Sequence, residues 1–281
     1  MCRAWGVHTV RHRWGRATTI TTFRALTVRA GGGYIYRMCL IALAYQVHPR
    51  FPLIVAANRD EVRERPTAPA QFWPDAPEFL AGRDQQAGGT WLGITRTGRF
   101  AAITNHRDLR RPRTVGPSRG QLVKQALLGT IDPQTTAAYE GFNLLYGPLH
   151  ALRYHNNIQP ADLPLAPGVH GISNAFLNTP WPKVERAKAD LHALLEATDP
   201  PPVEALFAVL TNDALAADAQ LPDTGLPLEL ERAASSIFIP GAAYGTRCST
   251  VLLVDAEGAV YFEERSWPGA TRVVERFRLE G

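Results

Sequence analysis

A change of composition at residue 38 limits which part of this chain can form a folded domain. Residues 1–37 contain seven arginines, several threonines and no aspartate or glutamate. Removing those seven from the 30 basic residues leaves 23 against 26 acidic ones, so residues 38–281 are slightly acidic. The basic balance of the chain therefore does not indicate a nucleic-acid surface on the folded part. We expect an Arg-rich extension over residues 1–37 and a single domain over residues 38–281.

The Arg-rich extension has two interpretations. An Arg-rich, acid-poor leader is typical of an organellar transit peptide. Alternatively, the upstream start codon is wrongly chosen and translation begins at Met38. Cys2 is not expected to act as a nucleophile, because the residues that follow it do not continue as a buried strand. We expect a cytoplasmic protein, or an organellar one if the extension is a genuine transit peptide.

The remaining chain is long enough for one sizeable core, and none of its apolar stretches reaches the ~18 residues that span a bilayer. The three cysteines show no C-x-x-C spacing, and the eight histidines form no H-E-x-x-H motif. The sequence therefore predicts no disulfide framework, no metal site and no cofactor.

The order of apolar runs and turn signals predicts an α+β fold. Strands are expected at residues 40–45, 52–57, 90–95, 99–104, 141–146, 151–155, 169–174, 236–239, 249–254, 259–264 and 271–278. A capping-box pattern at residues 118–121 predicts a helix that ends at Gly129. Further helices are expected at residues 184–197, with Thr179 as N-cap and Pro180 in the first turn, and at 203–210. Pro-rich stretches near residues 66–77 and 200–202 are interpreted as loops. Two antiparallel sheets between helical layers fit this order, although periodicity alone does not separate it from other α+β arrangements.

Cys39 is the candidate nucleophile. If translation starts at Met38 and that methionine is removed, Cys39 carries both a thiol and a free α-amine. An α-amine with an ordinary pKa of about 7.7–8.0 accepts the thiol proton near neutral pH, so no histidine is needed. We therefore expect the native chain to begin at Cys39. The alternative is that Cys39 is a core residue of an apolar strand.

A polar quartet, Asn58-Arg59-Asp60-Glu61, follows the second apolar run directly. Polar side chains at the end of a buried strand are typical of functional sites. The quartet is alternatively a solvated turn whose aspartate caps the chain.

Seven motifs in order resemble the NRDE family, also called the Transport and Golgi organization 2 family. They begin at Met38, Ala57, Gly88, Thr104, Ser118, Gly171 and Tyr244, and read MCLI, ANRDE, GGTWLG, TNHR, SRG, GISN and YGTR. This family is similar in turn to the cysteine N-terminal-nucleophile hydrolases, which include penicillin V acylase and bile salt hydrolase. The resemblance implies a four-layer αββα sandwich of two antiparallel sheets between helical layers.

The resemblance also implies roles for five residues. Cys39 matches the nucleophile, Asp60 the aspartate that orients its amine, Asn105 and Asn174 the asparagines near the oxyanion, and Arg247 a late stabilising arginine. The alternative for Asn105 and Asn174 is that they only satisfy backbone groups at strand ends.

Two positions depart from the hydrolase pattern. Ala57 stands where the hydrolases place an arginine, three residues before the aspartate. Either Arg59 substitutes for it from a different angle, with Asn58 beside it as a second binding residue, or the site is no longer catalytic. Cys248 stands where a small hydroxyl residue is expected, and we interpret it as a buried thiol without a role.

A basic segment follows Asn105 and bears on the ligand. It contains His106, Arg107, Arg110, Arg111 and Arg113, with Arg119 beyond. Such a loop is either simply solvated or attracts an anionic group to the site, such as that of a carboxylated amide, acyl-CoA or haem propionate.

Two function classes remain open. The first is hydrolysis of a non-peptide amide or thioester by Cys39. The second, which the family resemblance implies, is binding or trafficking of haem, lipid or acyl-CoA without turnover. In both, the expected partner is a small molecule with an anionic group, and the fold alone does not choose between them.

Overall fold

The computed structural model describes residues 38–112, 114–269 and 271–280. The predictions for residues 1–37, including Cys2, and for Arg113 lie outside this range. The strands within it are β1 (Cys39–Tyr45), β2 (Leu53–Val62), β3 (Thr67–Trp73), β4 (Ala76–Asp84), β5 (Leu92–Thr95), β6 (Arg99–Asn105), β7 (Phe142–Pro148), β8 (Arg153–Asn156), β9 (Ala161–Pro164), β10 (Gly168–Ile172), β11 (Tyr244–Val254), β12 (Ala259–Ser266) and β13 (Thr271–Arg278). The α-helices are α1 (Gly120–Leu128), α2 (Pro182–Ala197), α3 (Val203–Leu210) and α4 (Leu228–Ala234).

The strands form two antiparallel sheets. One has six strands in the order β10-β1-β2-β11-β12-β13, and the other is a seven-stranded meander that runs from β3 to β9 in chain order. In β1 the side chains of Ile41 and Leu43 face the second sheet, whereas Leu40 and Ala42 face the helices α2 and α3. Both faces of the strand are buried, which explains why it is apolar without alternation.

The two sheets pack face to face and carry helices on their outer faces. The helices α2 and α3 cover the six-stranded sheet, where their buried side chains pack against β1, β2 and β11. The helix α1 covers the seven-stranded sheet through its buried residues Leu122, Val123, Ala126 and Leu127. The predicted four-layer α+β sandwich is therefore confirmed. No helix among the described residues is both long enough and apolar enough to cross a membrane.

Several predicted elements are wrong. The strand β2 continues through the NRDE quartet to Val62, so the quartet is neither a turn nor a strand end. The Pro-rich stretch near residues 66–77 forms β3 and β4; prolines are tolerated there because β3 is an edge strand with irregular register. Residues 236–239 form no strand, and their apolar character reflects burial of Ile237 under the helical layer. The elements α4 and β9 were not predicted.

The starts of two helices also differ from prediction. Helix α1 has Arg119 as its N-cap without a side-chain cap, so the capping box at residues 118–121 does not form. Helix α2 begins at Pro182 after Trp181, two residues beyond the proline expected in its first turn. A close backbone approach positions α1 instead: a Cβ at Gly89 would lie 2.6 Å from the Gly120 carbonyl carbon.

Candidate active site

A cavity of about 60 Å³ lies between the sheets where β1 begins. Cys39, Arg59 and Cys248 occupy three adjacent strands along one wall. Arg59 is directly opposite Cys39 in one direction and opposite Cys248 in the other. Directly opposed residues of an antiparallel pair project to the same face, so the three side chains point together into the space between the sheets. Asn105, at the end of β6, lines the opposite side.

The Cys39 thiol is held in its protonated form. Its residue is 7% exposed, and burial together with the Asp60 carboxylate raises the thiol pKa to about 11. A hydrogen bond from the Asp60 backbone N–H and the charge of Arg59 act in the opposite direction but do not offset the burial. At neutral pH this thiol needs a base before it attacks an electrophile.

Asp60 lies on the helix side of β2 and is buried. Its Oδ1 accepts a 2.7 Å hydrogen bond from the Thr246 hydroxyl, whereas its Oδ2 has no hydrogen-bond partner among the described residues. Lys183, at the start of α2, is also buried, and its Nζ is likewise unpartnered within that part of the chain. Burial raises the pKa of Asp60 and lowers that of Lys183, while the attraction between the two opposes both shifts.

Sequence reasoning missed Lys183, although a signal was present. Lys183, Ala187 and Leu191 are spaced four residues apart and all are buried on one face of α2. A lysine within the apolar stripe of a helix is uncommon unless it has a charged partner.

The NRDE quartet is divided between the two faces of its strand. Arg59 points toward the cavity and donates to Thr67 Oγ1 at 3.3 Å and to Glu61 Oε2 at 3.4 Å. Asn58 points the other way and does not line the cavity. Its Nδ2 donates to the backbone carbonyls of Leu210 and Ile237 at 2.8 and 2.9 Å. Asn58 was predicted to bind the ligand, but its side chain packs under the helical layer instead of lining the cavity.

The two candidate oxyanion asparagines have different positions. Asn105 lines the cavity, whereas Asn174 is fully buried behind it and donates from Nδ2 to the Asn105 carbonyl at 2.9 Å. Ser173, which was not predicted, donates from Oγ to the Cys39 carbonyl at 2.7 Å and to Asn174 Oδ1 at 3.2 Å. Asn174 and Ser173 thus stabilise the backbone of two residues that line the cavity, and their own side chains do not line it.

Arg247 does not reach the cavity. It occupies the irregular position of β11 between Thr246 and Cys248, and its guanidinium donates to the Arg63 carbonyl. The bulge turns the side chain away from the site, so the structure does not bring Arg247 to Cys39. Cys248, in contrast, lines the cavity, and burial raises its thiol pKa well above the ordinary value.

The basic segment after Asn105 is not one surface. Arg107 is buried, forms a 2.7 Å ion pair with Glu231 and lies 5.0 Å from the Trp181 ring centroid. Arg110 is exposed and pairs with carboxylates, namely those of Asp108 and Asp223.

His106 and Arg111 complete the described part of this segment. His106 packs on the Phe176 ring at 5.0 Å, and its pKa is lowered by burial and by Arg111. Neither residue lines the cavity. Of the predicted basic residues that the structure describes, only Arg59 and Arg119 do so, and Arg119 is 3.3 Å from Glu140.

Comparisons with known proteins identify the family. The family model described as Transport and Golgi organisation 2 matches residues 38–268. The Transport and Golgi organization protein 2 homolog of Bos taurus is 38% identical over 267 residues, which cover 83% of this chain and 94% of that protein. The Homo sapiens homolog is 35% identical over 261 residues, which cover 82% of this chain and 93% of the homolog.

Solved structures give a weaker likeness. A crystal structure of a conjugated bile acid hydrolase from Clostridium perfringens is 8% identical, covers 88% of each chain and has a TM-score of 0.34, which carries no argument. The chain belongs to the Transport and Golgi organisation 2 family.

Proposed function

We propose that the protein is an N-terminal cysteine hydrolase that acts on a non-peptide amide or thioester carbonyl. One observation carries this proposal: Cys39 lines the cavity directly opposite Arg59, with Asn105 in the same lining. While Met38 is attached, burial holds the thiol in its protonated form, with a pKa of about 11. A thiol in this state needs a nearby base. The α-amine formed when Cys39 is the first residue supplies one at the nucleophile itself.

The proposed reaction starts with transfer of the thiol proton to the α-amine of Cys39. The sulfur attacks the carbonyl carbon, and Asn105 is positioned on the cavity wall to stabilise the oxyanion. The ammonium then returns its proton to the leaving amine or thiol, and an acyl thioester remains on Cys39. Water attacks this thioester, the amine accepts a proton from it, and release of the acid regenerates the thiol.

The size of the cavity limits what it holds. Pockets for drug-sized ligands usually occupy about 300–1,000 Å³, whereas this one is about 60 Å³. We infer that it takes the reacting carbonyl and a small neighbouring group, with the rest of the substrate outside. Arg59 and Arg119 in the lining favour an anionic group on that substrate.

A second function is favoured by the burial of Met38. The residue is 5% exposed, and its backbone N–H donates to the Tyr244 hydroxyl at 2.6 Å. A chain that retains Met38 has an amide instead of an amine at Cys39 and thus lacks the proposed base. Such a form would bind the anionic group of haem, lipid or acyl-CoA at the same cavity without turnover, with the rest of the ligand outside it. For either function we propose a cytoplasmic location, or an organellar one if residues 1–37 act as a transit peptide.

N-terminal sequencing of the protein from its native host, combined with acyl labelling, tests the proposed hydrolase. We expect the abundant species to begin at Cys39 and a p-nitrophenyl acyl ester to release nitrophenol with a burst and label that residue. Cys39→Ser should remove the burst and most turnover while the protein stays folded. Cys248→Ser is the matched control, since it alters the second buried thiol of the same cavity.

Three results would contradict the hydrolase proposal. They are unchanged turnover in Cys39→Ser, equal labelling of Cys248, and full turnover by a chain that retains Met38. The last result would remove the α-amine as the base.

A further inference from the structure

A pair of buried, incompletely bonded charges lies directly behind the start of β1. Asp60 and Lys183 are 1% and 2% exposed. Asp60 Oδ2 and Lys183 Nζ both lack a hydrogen-bond partner within the described residues. Each is nevertheless the strongest opposite charge acting on the other. Buried polar atoms without partners are uncommon in folded proteins and call for a functional explanation.

The peptide bond between Met38 and Cys39 lies at the start of β1, where Cys39 is directly opposite Arg59, the residue before Asp60. The Met38 N–H donates to the Tyr244 hydroxyl, and the Asp60 charge acts on both that hydroxyl and the Cys39 thiol. The charge of Lys183 also acts on Cys39. Removal of Met38 would therefore create the α-amine at a residue on which both charges act.

We propose that Lys183 is a positioning residue that offsets the charge of Asp60 and so keeps the Cys39 α-amine neutral. The inference depends on the proposed function, because only a chain that begins at Cys39 has this amine. An unopposed Asp60 carboxylate would hold the amine as an ammonium ion, which cannot accept the thiol proton. A lysine whose charge acts on the same carboxylate offsets that preference without removing the carboxylate, which remains available to orient the amine.

Other charges near this pair do not duplicate the role of Lys183. Arg107 and Glu231 both act on Lys183, but they form an ion pair with each other at 2.7 Å and so largely cancel. Arg63, in the turn after β2, and Arg59, on β2, also act on Asp60, but each acts more weakly than Lys183. Arg63 donates to three backbone carbonyls, and Arg59 faces the cavity beside Glu61. Tyr244, on β11, is uncharged because burial raises its pKa well above the ordinary value.

A titration of the amine tests this inference without a substrate. Protein that begins at Cys39, which retains every described helix and strand, is labelled with ¹³C-cysteine. The Cys39 ¹³Cα shift is followed by NMR between about pH 5 and 10, after circular dichroism and a melting curve show that each variant is folded. A charge at a separation of several ångströms shifts a pKa by about one unit or more at an effective dielectric constant near 20.

The two charges should have opposite effects. Lys183→Met should raise the amine midpoint by at least about one pH unit, Asp60→Asn should lower it, and the double variant should return close to the wild-type value. Lys188→Met is the matched control on the same helix, because Lys188 is partly exposed and pairs with Glu185; its midpoint should not move. Lys183→Gln provides a second neutral variant if Lys183→Met is too unstable to titrate.

The outcomes separate this inference from the proposed function. An unshifted midpoint in a folded Lys183 variant overturns the role of Lys183, even if Cys39 turns over acyl substrates. Shifts of the same sign for Lys183→Met and Asp60→Asn also overturn it, because they indicate a general structural effect. The expected opposite shifts in a protein without acyl transfer would support the electrostatic role and refute the hydrolase.

Discussion

Replacing Asn58 by aspartate tests whether this NRDE residue has a structural role. Asn58 is fully buried and donates to the carbonyls of Leu210 and Ile237 at 2.8 and 2.9 Å. Its Oδ1 accepts from the Ser249 hydroxyl at 2.6 Å. These bonds join β2 to α3, to β11 and to the segment at Ile237. The aspartate has almost the same shape, but an oxygen replaces the NH₂ group that donates to two carbonyls.

The cost of Asn58→Asp follows from the two lost bonds. A buried acceptor that loses its donor costs about 1–3 kcal/mol, so the two carbonyls together cost about 2–6 kcal/mol. At pH 8 the introduced carboxylate is also buried without a cation among its described hydrogen-bond partners, which adds to the loss. We therefore expect the free energy of unfolding to fall by at least about 3 kcal/mol. This is a large share of the total, because domains are typically stable by about 5–15 kcal/mol.

The pH dependence of this loss has a definite sign. Burial raises the folded-state pKa of the introduced carboxyl above its unfolded value of about 3.9. The folded variant therefore retains a proton that the unfolded chain has released, and its stability falls as pH rises above about 4. Relative to wild type, the variant should recover stability as pH is lowered from 8 toward 4, since a protonated carboxyl donates one hydrogen bond.

Urea unfolding at pH 8 and pH 5 measures both effects. Asn212→Asp is the matched control, because the Asn212 side chain is an acceptor for the Ala214 N–H, and aspartate preserves that bond. A loss below about 1 kcal/mol for Asn58→Asp at pH 8, together with loss of acyl labelling at Cys39, would refute the structural role. That result would place Asn58 in the active site.

Three further predictions concern other parts of the molecule. Arg107→Met leaves the buried Glu231 carboxylate on α4 without its ion-pair partner and should lower the free energy of unfolding in urea by about 3–5 kcal/mol. Arg110→Met should change it by less than about 0.5 kcal/mol. Equal effects would contradict the different roles assigned to these arginines. Gly89→Ala brings a Cβ to 2.6 Å from the Gly120 backbone and should lower the free energy of unfolding by about 1–3 kcal/mol. Thermal melting would measure this loss, and an unchanged melting temperature would show that the close approach is dispensable. In a chain that retains Met38, the rate of Cys39 alkylation by iodoacetamide should increase about tenfold per pH unit between pH 7 and 10, because the thiol pKa is about 11. Peptide mass spectrometry measures this rate, and a plateau below pH 9 would contradict the protonated state of the thiol.

Local sequence patterns predicted most elements near the site. Continuous apolar runs identified β1 and β2, and periodic apolar positions identified α1, α2 and α3. The predictions failed where local and tertiary signals differ. The polar quartet resembles a turn locally, but Asn58 and Arg59 are in the middle of a sheet because β1 and β11 flank them on both sides.

The arginines show the same limit. Arg107 and Arg110 lie three residues apart in one basic segment, yet one is buried against Glu231 and the other is exposed. A bulge turns Arg247 away from the cavity, and the residues around Arg247 in the sequence do not predict that bulge. In both cases the position depends on a distant partner that the local pattern does not contain.

By itself, the sequence determined the types of element, the alternation of side chains in each strand and the chemistry available at Cys39. These properties depend on backbone geometry and on residues within a few positions of one another. Only the tertiary structure decided that Arg59 faces Cys39, that Asn58 supports the helical layer and that Lys183 of α2 lies behind Asp60. Strand order and register are set by the packing of segments far apart in the chain, and that packing brings Lys183 and Asp60 together across more than 120 positions.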